Sequence, residues 1–273
     1  MIDGTVDGGG HAAAIIRKVM PGGRFLGVEW DPALLARCCT RFADEPNASF
    51  VHGNYADLPK TIREKGLPRA DGLLIDLGFS SEQLEGSGRG FSFSEGHGDE
   101  PLLMTYDDSR EPVGVLLRTL DEAALADIIF ELGGERRSRR IANAIKLLGK
   151  KKPIMTSGEL AQAVRDALPG NYERGRIDPA TRTFQALRIY ANDELGNLRR
   201  ILEALPLILA PGGRVAIISF HSLEDRIVKR SFQNLSTQST LQIITKKPIT
   251  ASRAEITQNP RSRSAKLRAA IIQ

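Results

Sequence analysis

A run of three glycines shortly after a very short opening segment is the feature that most constrains the fold of this chain. Residues 1–3 lead into Gly8, Gly9 and Gly10, and residues 12–19 have helical character. A strand that turns through glycines into a helix lets the backbone approach a bound ligand without obstruction by Cβ atoms. The arrangement is typical of the first strand and helix of a nucleotide-binding α/β domain.

The rest of the first third of the chain repeats the pattern of strand and helix. Short apolar runs at residues 24–28, 48–52 and 72–76 are bounded by turn residues, as expected for buried strands of a parallel sheet. This alternation predicts repeated β-α units.

Helical patterns alone follow a glycine- and serine-rich loop at residues 86–98, for about a hundred residues. Two capping boxes, Thr119 with Glu122 and Thr156 with Glu159, predict helix starts, and one long helix is expected from about Pro179. A strand pattern returns at residues 213–219, and residues 241–245 and 266–272 are expected to form a terminal antiparallel pair. We therefore predict an α/β sheet in two parts, 1–108 and 199–273, with an all-helical insertion at 109–198.

The charge distribution suggests a polyanionic partner for the second half. Residues 1–130 carry 12 Lys and Arg against 21 Asp and Glu, a net charge of −9, whereas the remainder carries 26 against 12, a net charge of +14. Cationic side chains that neutralise phosphates release counterions, although solvated helix faces explain such charges equally well. No run approaches the roughly 18 apolar residues of a membrane span and no secretory signal is seen, so we expect a cytoplasmic protein without membrane contact.

The cofactor class stays open on spacing alone. Glu29 ends the second predicted strand, about 20 residues after the glycines, where a carboxylate accepts hydrogen bonds from ribose hydroxyls. Residues 8–13 formally match the dinucleotide pattern G-x-G-x-x-A. An NAD-dependent oxidoreductase and an S-adenosylmethionine-dependent methyltransferase both satisfy this arrangement.

Six blocks of distinctive sequence extend over nearly the whole chain. They are DGT with GGGH at 3–11, DLGFSS with QL at 76–84, RGFSF at 89–93, ATRTFQALRI at 180–189, ISFHSLEDRIVKR at 218–230 and NPRSRSAKLR at 259–268. In sequence and in order, these blocks resemble the bacterial 16S ribosomal RNA cytosine-N4 methyltransferases. The resemblance implies a Rossmann-like class I S-adenosylmethionine-dependent methyltransferase sheet whose helical insertion recognises RNA.

The resemblance also implies a cofactor site and partners. S-adenosylmethionine is the expected cofactor, and small-subunit ribosomal RNA or the 30S particle is the expected partner, with a homodimer left open. The positions that match the family's cofactor contacts are Gly9, Gly10, His11, Glu29, Tyr55, Asp76 and Gln83. Glu29 replaces the family's usual aspartate, and its longer side chain should still reach the ribose.

Asp76, His221 and Ser222 are the residues we expect to act on the target amine. Asp76 ends the fourth predicted strand, where an acceptor could bind the amine protons, and His221 and Ser222 follow the returning strand. For His221, a hydrogen-bonded role in orienting the strand end is an equal alternative. We expect no metal site, because His52 and His97 lack ligand spacing.

Cationic side chains of the insertion and of the segment after the returning strand are expected to contact RNA phosphates. They are Arg136, Arg137, Arg139, Arg140, Arg226 and Lys229. One rival interpretation is an RNA-binding ribosome assembly factor without catalysis. It is favoured by residues 94–107, which depart from the family's D-G-P-L-D-M-R-M-D pattern.

Overall fold

The computed structural model describes residues 1–78, 87–94, 96–170, 172 and 178–273. Gln83, one of the expected cofactor contacts, lies outside these ranges. Contacts within the chain divide it into two compact units, residues 1–78 with 195–273 and residues 79–194. The sequence-based boundary at residue 108 differs from this division, because Phe91, Leu102 and Met104 are buried in the core of the second unit.

A single sheet forms the first unit. Its strands are β1 Ile2–Asp3, β2 Phe25–Glu29, β3 Ala48–His52, β4 Ala70–Asp76, β5 Leu209–Ser219, β6 Leu241–Ile243, β7 Ile249–Thr250 and β8 Lys266–Ile272. They are ordered β3-β2-β1-β4-β5-β8-β6, with β7 also paired to β8. The first five are parallel, and β8 runs antiparallel to β5 and β6. This arrangement confirms the Rossmann-like sheet and the terminal antiparallel pair.

Helices connect the strands of this unit. They are α1 Gly10–Val19, α2 Pro32–Arg41, α3 Leu58–Glu64, α9 Glu194–Ile208, α10 Ser222–Thr237 and α11 Arg253–Gln258. Helix α9 buries Leu198, Ile201, Leu202, Leu205 and Ile208 in one core with Leu73, Ile75, Val215 and Ile217 of the central strands. The residues of α9 recur at helical spacing, and those of the strands alternate along each strand. Both patterns place the side chains on the shared core face.

The second unit is helical within the described residues, apart from one isolated bridge between Pro101 and Thr156. Its helices are α4 Val113–Thr119, α5 Glu122–Gly133, α6 Ser138–Lys151, α7 Ser157–Asp166 and α8 Ala180–Asn192. The capping box of Thr156 and Glu159 is confirmed at α7. Nowhere in the described ranges is a helix long and apolar enough to cross a membrane.

Two sequence-based helix assignments are wrong. Thr119 ends α4, and α5 is capped by Asp121, whose Oδ1 accepts a hydrogen bond from Ala124 N at 2.7 Å. Asp121 caps the helix in place of Thr119 because its short carboxylate directly precedes the first turn. The long helix expected from Pro179 is divided into α8 and α9 by Asp193, whose left-handed φ of 49° ends α8.

Candidate active site

The parallel strands bring acidic residues together at one edge of the sheet. Asp3, Glu29 and Asp76 are the last residues of β1, β2 and β4, and these three strands are adjacent. Because ligands of open α/β sheets bind beyond the carboxyl ends of the strands, this edge is the candidate active site.

The glycine loop joins the end of β1 to the start of α1. Gly9 caps α1 with φ +77°, and a Cβ atom there would lie 2.8 Å from the Phe42 ring, so glycine is required. A Cβ on Gly10 would meet nothing within 4 Å. No side chain caps this helix. Its first N–H groups and the positive end of its dipole therefore suit a carboxylate such as that of a methionine moiety.

Glu29 organises the backbone around this loop. Its Oε2 accepts a hydrogen bond from Asp7 N and its Oε1 one from Asp31 N, each at 2.8 Å. The residue is buried, and burial together with the neighbouring Asp31 carboxylate raises its pKa despite these bonds. A carboxylate has about four acceptor sites, and the backbone N–H of Trp30 also bonds to Glu29, so one site remains that a ribose hydroxyl would use.

Asp76 links three parts of the site. Its backbone N–H donates to Thr5 Oγ1 at 2.7 Å, its Oδ1 accepts from Gly78 N at 2.9 Å, and its Oδ2 lies 3.2 Å from His11 Nε2. The Asp76 side chain is 17% exposed and that of His11 52%. The hydrogen bond to Asp76 raises the pKa of His11. The structure thus places His11 and Asp76 together at the mouth of the site.

Asp3 is a site residue that the sequence reasoning did not assign. Its Oδ1 accepts a hydrogen bond from Thr5 N at 3.1 Å, while Oδ2 is buried without a hydrogen-bond partner. Burial raises its pKa to about 7. Its signal was its position: it ends a parallel strand at the same edge as Glu29 and Asp76.

The carboxylates at this edge of the sheet make the site acidic, which favours a cationic ligand. Burial, followed by the nearby carboxylates of Glu29 and Asp76, raises the pKa of Asp7 well above its ordinary value. Buried carboxylates that repel one another retain protons or attract positive charge. With the helix amino terminus supplying donors, these residues fit a zwitterionic cofactor that carries an additional sulfonium charge.

These shifts predict that stability falls as pH rises. The pKa of Asp3 is higher in the folded state than the ~3.9 of an unfolded aspartate, so its stabilising contribution is complete below pH ~4 and is lost as pH rises through about 7. Asp3→Asn should reduce the fall in unfolding free energy over this window, by up to about 1.4 kcal/mol per pH unit. Urea titrations between pH 5 and 7.5 measure it.

The control for this experiment is Asp44→Asn, since Asp44 is exposed. Asp7, Glu29 and His11 also have raised pKa values, so a residual slope of the same sign is expected in every variant. Equal slopes in Asp3→Asn and the wild-type protein would remove Asp3 as a titrating group.

His221 and Ser222 lie at the junction of β5 and α10. His221 caps α10: its Nδ1 accepts from Glu224 N at 3.4 Å, and Glu224 Oε2 accepts from His221 N at 3.2 Å. Its ring is only 14% exposed. This geometry supports the alternative in which His221 orients the strand end. Ser222 begins the helix and is exposed, and the catalytic roles of both residues stay predictions.

Tyr55 opens a short 3-10 turn, Tyr55–Asp57, that follows β3. The turn is held by Asn54, whose Oδ1 accepts from Ala56 N at 2.9 Å. Tyr55 packs partly against the sheet core, and a Cβ on Gly4 would lie 3.1 Å from its own Cβ. It is therefore beside the β1 loop, as an adenine contact requires, but that contact stays a prediction.

The cationic residues predicted to bind RNA are on two surfaces. In the helical unit, Arg136, Arg137, Arg139 and Arg140 are exposed around the start of α6. Among the described residues none of the four forms a side-chain ion pair. Arg226 and Lys229 are exposed on α10 in the first unit.

The chain matches known methylases along nearly its entire length. The model of the MraW methylase family matches residues 1–272. A protein named ribosomal RNA small subunit methyltransferase H from Deinococcus deserti is 47% identical over 99% of this chain and 86% of its own length. Proteins of the same name from Deinococcus radiodurans and Sorangium cellulosum are 46% and 45% identical over 98% of this chain, covering 81% and 83% of their lengths. The chain belongs to the MraW methylase family.

Proposed function

We propose that this protein transfers a methyl group from S-adenosylmethionine to the N4 amine of a cytidine in the decoding centre of 16S ribosomal RNA. Membership of the MraW methylase family and relatives named for small-subunit ribosomal RNA methylation support the broader activity. The observation that carries the proposal is the cluster of strand-end carboxylates beside the amino terminus of α1, which no side chain caps. We expect the enzyme to act in the cytoplasm on RNA or on the 30S particle.

S-adenosylmethionine would fit the acidic strand ends and the amino terminus of α1 by its charge and its hydrogen-bonding groups. The N–H groups at the start of α1 would hold its carboxylate, and Glu29 would accept its ribose hydroxyls. Tyr55 would lie against its adenine, and Asp3 and Asp76 would favour its positive charge. When bound, S-adenosylmethionine supplies an electrophilic methyl on a sulfonium sulfur.

The protein must make a poor nucleophile reactive. The lone pair of a cytosine N4 amine is delocalised into the ring, and the base must leave its stack to be reached. Asp76 would accept an amine hydrogen through Oδ2, which would favour a pyramidal nitrogen and hold it in line. Transfer forms the N4–C bond, breaks the S–C bond and leaves an acidic proton on N4 that water can take.

The His11 ring lies beside Oδ2 of Asp76, the oxygen that would accept the amine hydrogen. For Oδ2 to reach an amine hydrogen, the exposed His11 ring must share or leave it. The exposure of His11 permits such a movement without disturbing the core.

The arginines of the helical unit are proposed to bind RNA phosphates. Replacing Arg136, Arg137, Arg139 and Arg140 by Ala should reduce RNA affinity and lower the slope of log affinity against log salt by about 2 to 3. Cofactor affinity should not change. Filter binding of a small-subunit RNA fragment at several salt concentrations measures this.

The matched comparison removes Lys60, Lys65, Arg63 and Arg69, four cations of the α3 region of the other unit. An unchanged salt slope in the arginine variant, or an equal change in both variants, would assign those arginines to a solvated face.

The proposed function is tested by binding and transfer together. S-adenosylhomocysteine should raise the melting temperature, since a ligand bound only by the folded state stabilises it, and NAD should not. Small-subunit particles from a strain that lacks the modification should then accept labelled methyl. Binding of cofactor and RNA without any transfer would favour the assembly-factor alternative.

A further inference from the structure

A concave pocket of about 410 Å³ lies on the antiparallel side of the sheet, between α10, β6 and β8. Its polar lining includes Lys229, Lys246 and Arg268 together with Gln233, Ser236 and Gln242. No Asp or Glu is among the described residues that line it. The pocket therefore offers cations and neutral hydrogen-bond groups, which is the composition of a site for an anion.

The two lysines of the pocket are exposed and are not paired with any of the described residues. In the described part of the chain, neither Lys229 nor Lys246 forms an ion pair or a side-chain hydrogen bond, and both residues are exposed. Placing two uncompensated ammonium groups around one pocket costs electrostatic free energy. An anion held between them would remove that repulsion.

The Asp225 carboxylate, which contacts the lining residue Arg268, is already paired within the protein. Asp225 Oδ1 accepts from Arg268 Nε at 2.7 Å, and its Oδ2 lies 3.4 Å from Lys266 Nζ. Burial opposes ionisation of Asp225, but the bonds to Arg268 and then Lys266 outweigh it and lower its pKa. Asp225 thus fixes the Arg268 side chain in the wall without cancelling Lys229 or Lys246.

The position of the pocket relates it to the candidate active site. Arg268 is paired with Ile217, two residues before Ser219 ends β5 at the carboxyl edge. Lys229 follows the helix cap His221 by eight residues, a rise of about 12 Å along α10. A few nucleotides of an extended strand cover such a distance.

We propose that this pocket binds a backbone phosphate of the RNA strand that flanks the target nucleotide. The proposal rests on the proposed function, since it assigns RNA as the substrate. Two free lysines bind one phosphate as point charges, and the amide and hydroxyl groups of Gln233, Gln242 and Ser236 supply further hydrogen bonds. The pocket would hold the strand in register while the target base occupies the active site.

The test replaces Lys229 and Lys246 by Gln, which keeps much of each side-chain stem and removes both charges. Affinity for an RNA oligonucleotide that spans the target is measured at several salt concentrations. Loss of one phosphate contact to single-stranded RNA should lower the slope of log affinity against log salt by about 0.7. Affinity for S-adenosylhomocysteine and the melting temperature should match those of the wild-type protein.

The control is the double variant Lys65→Gln and Lys247→Gln. It makes the same change in net charge at two exposed residues outside the pocket lining. Its salt slope should stay close to that of the wild-type protein. Equal slopes for the two double variants would overturn the proposal.

A second experiment measures whether inorganic phosphate raises the melting temperature of the wild-type protein and of the pocket variant. If phosphate alone stabilises the wild-type protein but not the pocket variant, while both have the same RNA salt slope, the pocket binds a small anion and the RNA assignment is wrong. Methyl transfer by the wild-type protein is measured in parallel. Its absence would count against the proposed function, whereas normal transfer with an unaffected pocket variant would count against the pocket alone.

Discussion

Asp76→Asn should slow methyl transfer by on the order of 100-fold, the usual cost of removing one preorganised transition-state contact. Asp76 Oδ1 is occupied by Gly78 N, which leaves Oδ2 to face the site beside His11. An amide of the same size would keep the Gly78 bond through its oxygen and present an NH2 group where Oδ2 stood. That group would oppose the amine hydrogens instead of accepting one.

Single-turnover methylation at saturating cofactor and RNA isolates the chemical step. Asp71→Asn is the matched control, because Asp71 is an exposed carboxylate at the opposite end of the same strand. RNA affinity should be similar in both variants and in the wild-type protein. A wild-type single-turnover rate for Asp76→Asn would show that Asp76 acts only through cofactor affinity or not at all.

Glu29→Ala should weaken the binding of S-adenosylhomocysteine by about 100-fold. A hydrogen bond to a charged group contributes roughly 1.5 to 3 kcal/mol, and Glu29→Ala would remove the one that Glu29 accepts from the ribose. The substitution also removes the acceptor for Asp7 N and Asp31 N, so the loop that faces the cofactor loses its support. Calorimetric titration measures the affinity, with circular dichroism confirming that the variant is folded.

Glu29→Asp separates the two contributions. The resemblance implies aspartate at this position in the family, so Glu29→Asp should retain most of the affinity for S-adenosylhomocysteine. Glu29→Gln should lose much of that affinity. An unchanged affinity in Glu29→Ala would remove Glu29 from the ribose site.

The architecture could be predicted because its signals are local. Glycine spacing indicated the β1 loop, and short apolar runs indicated the parallel strands. Helix boundaries were harder to predict. Thr119 and Asp121 are both suitable residues to cap α5, and only the backbone conformation determines which of them does so. The break at Asp193 could not be anticipated, since a left-handed conformation of a non-glycine residue has only a weak sequence signal.

The candidate site could be predicted in outline but not in its electrostatics. The strand ends placed Glu29 and Asp76 at one edge, and the resemblance added His11 and Tyr55. The unpartnered Asp3 oxygen depends on how the surrounding side chains pack. The hydrogen bond between His11 and Asp76 joins residues that are 65 positions apart in the chain. That His221 caps α10, the alternative to a role in the base pocket, could be judged only from its bonds to Glu224.

We propose that this acidic site methylates the N4 amine of one cytidine. The most direct measurement incubates the purified protein with S-adenosylmethionine carrying an isotopically labelled methyl group and with small-subunit particles from a strain that lacks the modification. The RNA is then digested to nucleosides and analysed by mass spectrometry. We expect one labelled nucleoside, N4-methylcytidine, from a single position of the decoding centre. Label on another base or another atom, or no label from a folded protein that binds the cofactor, would contradict the account.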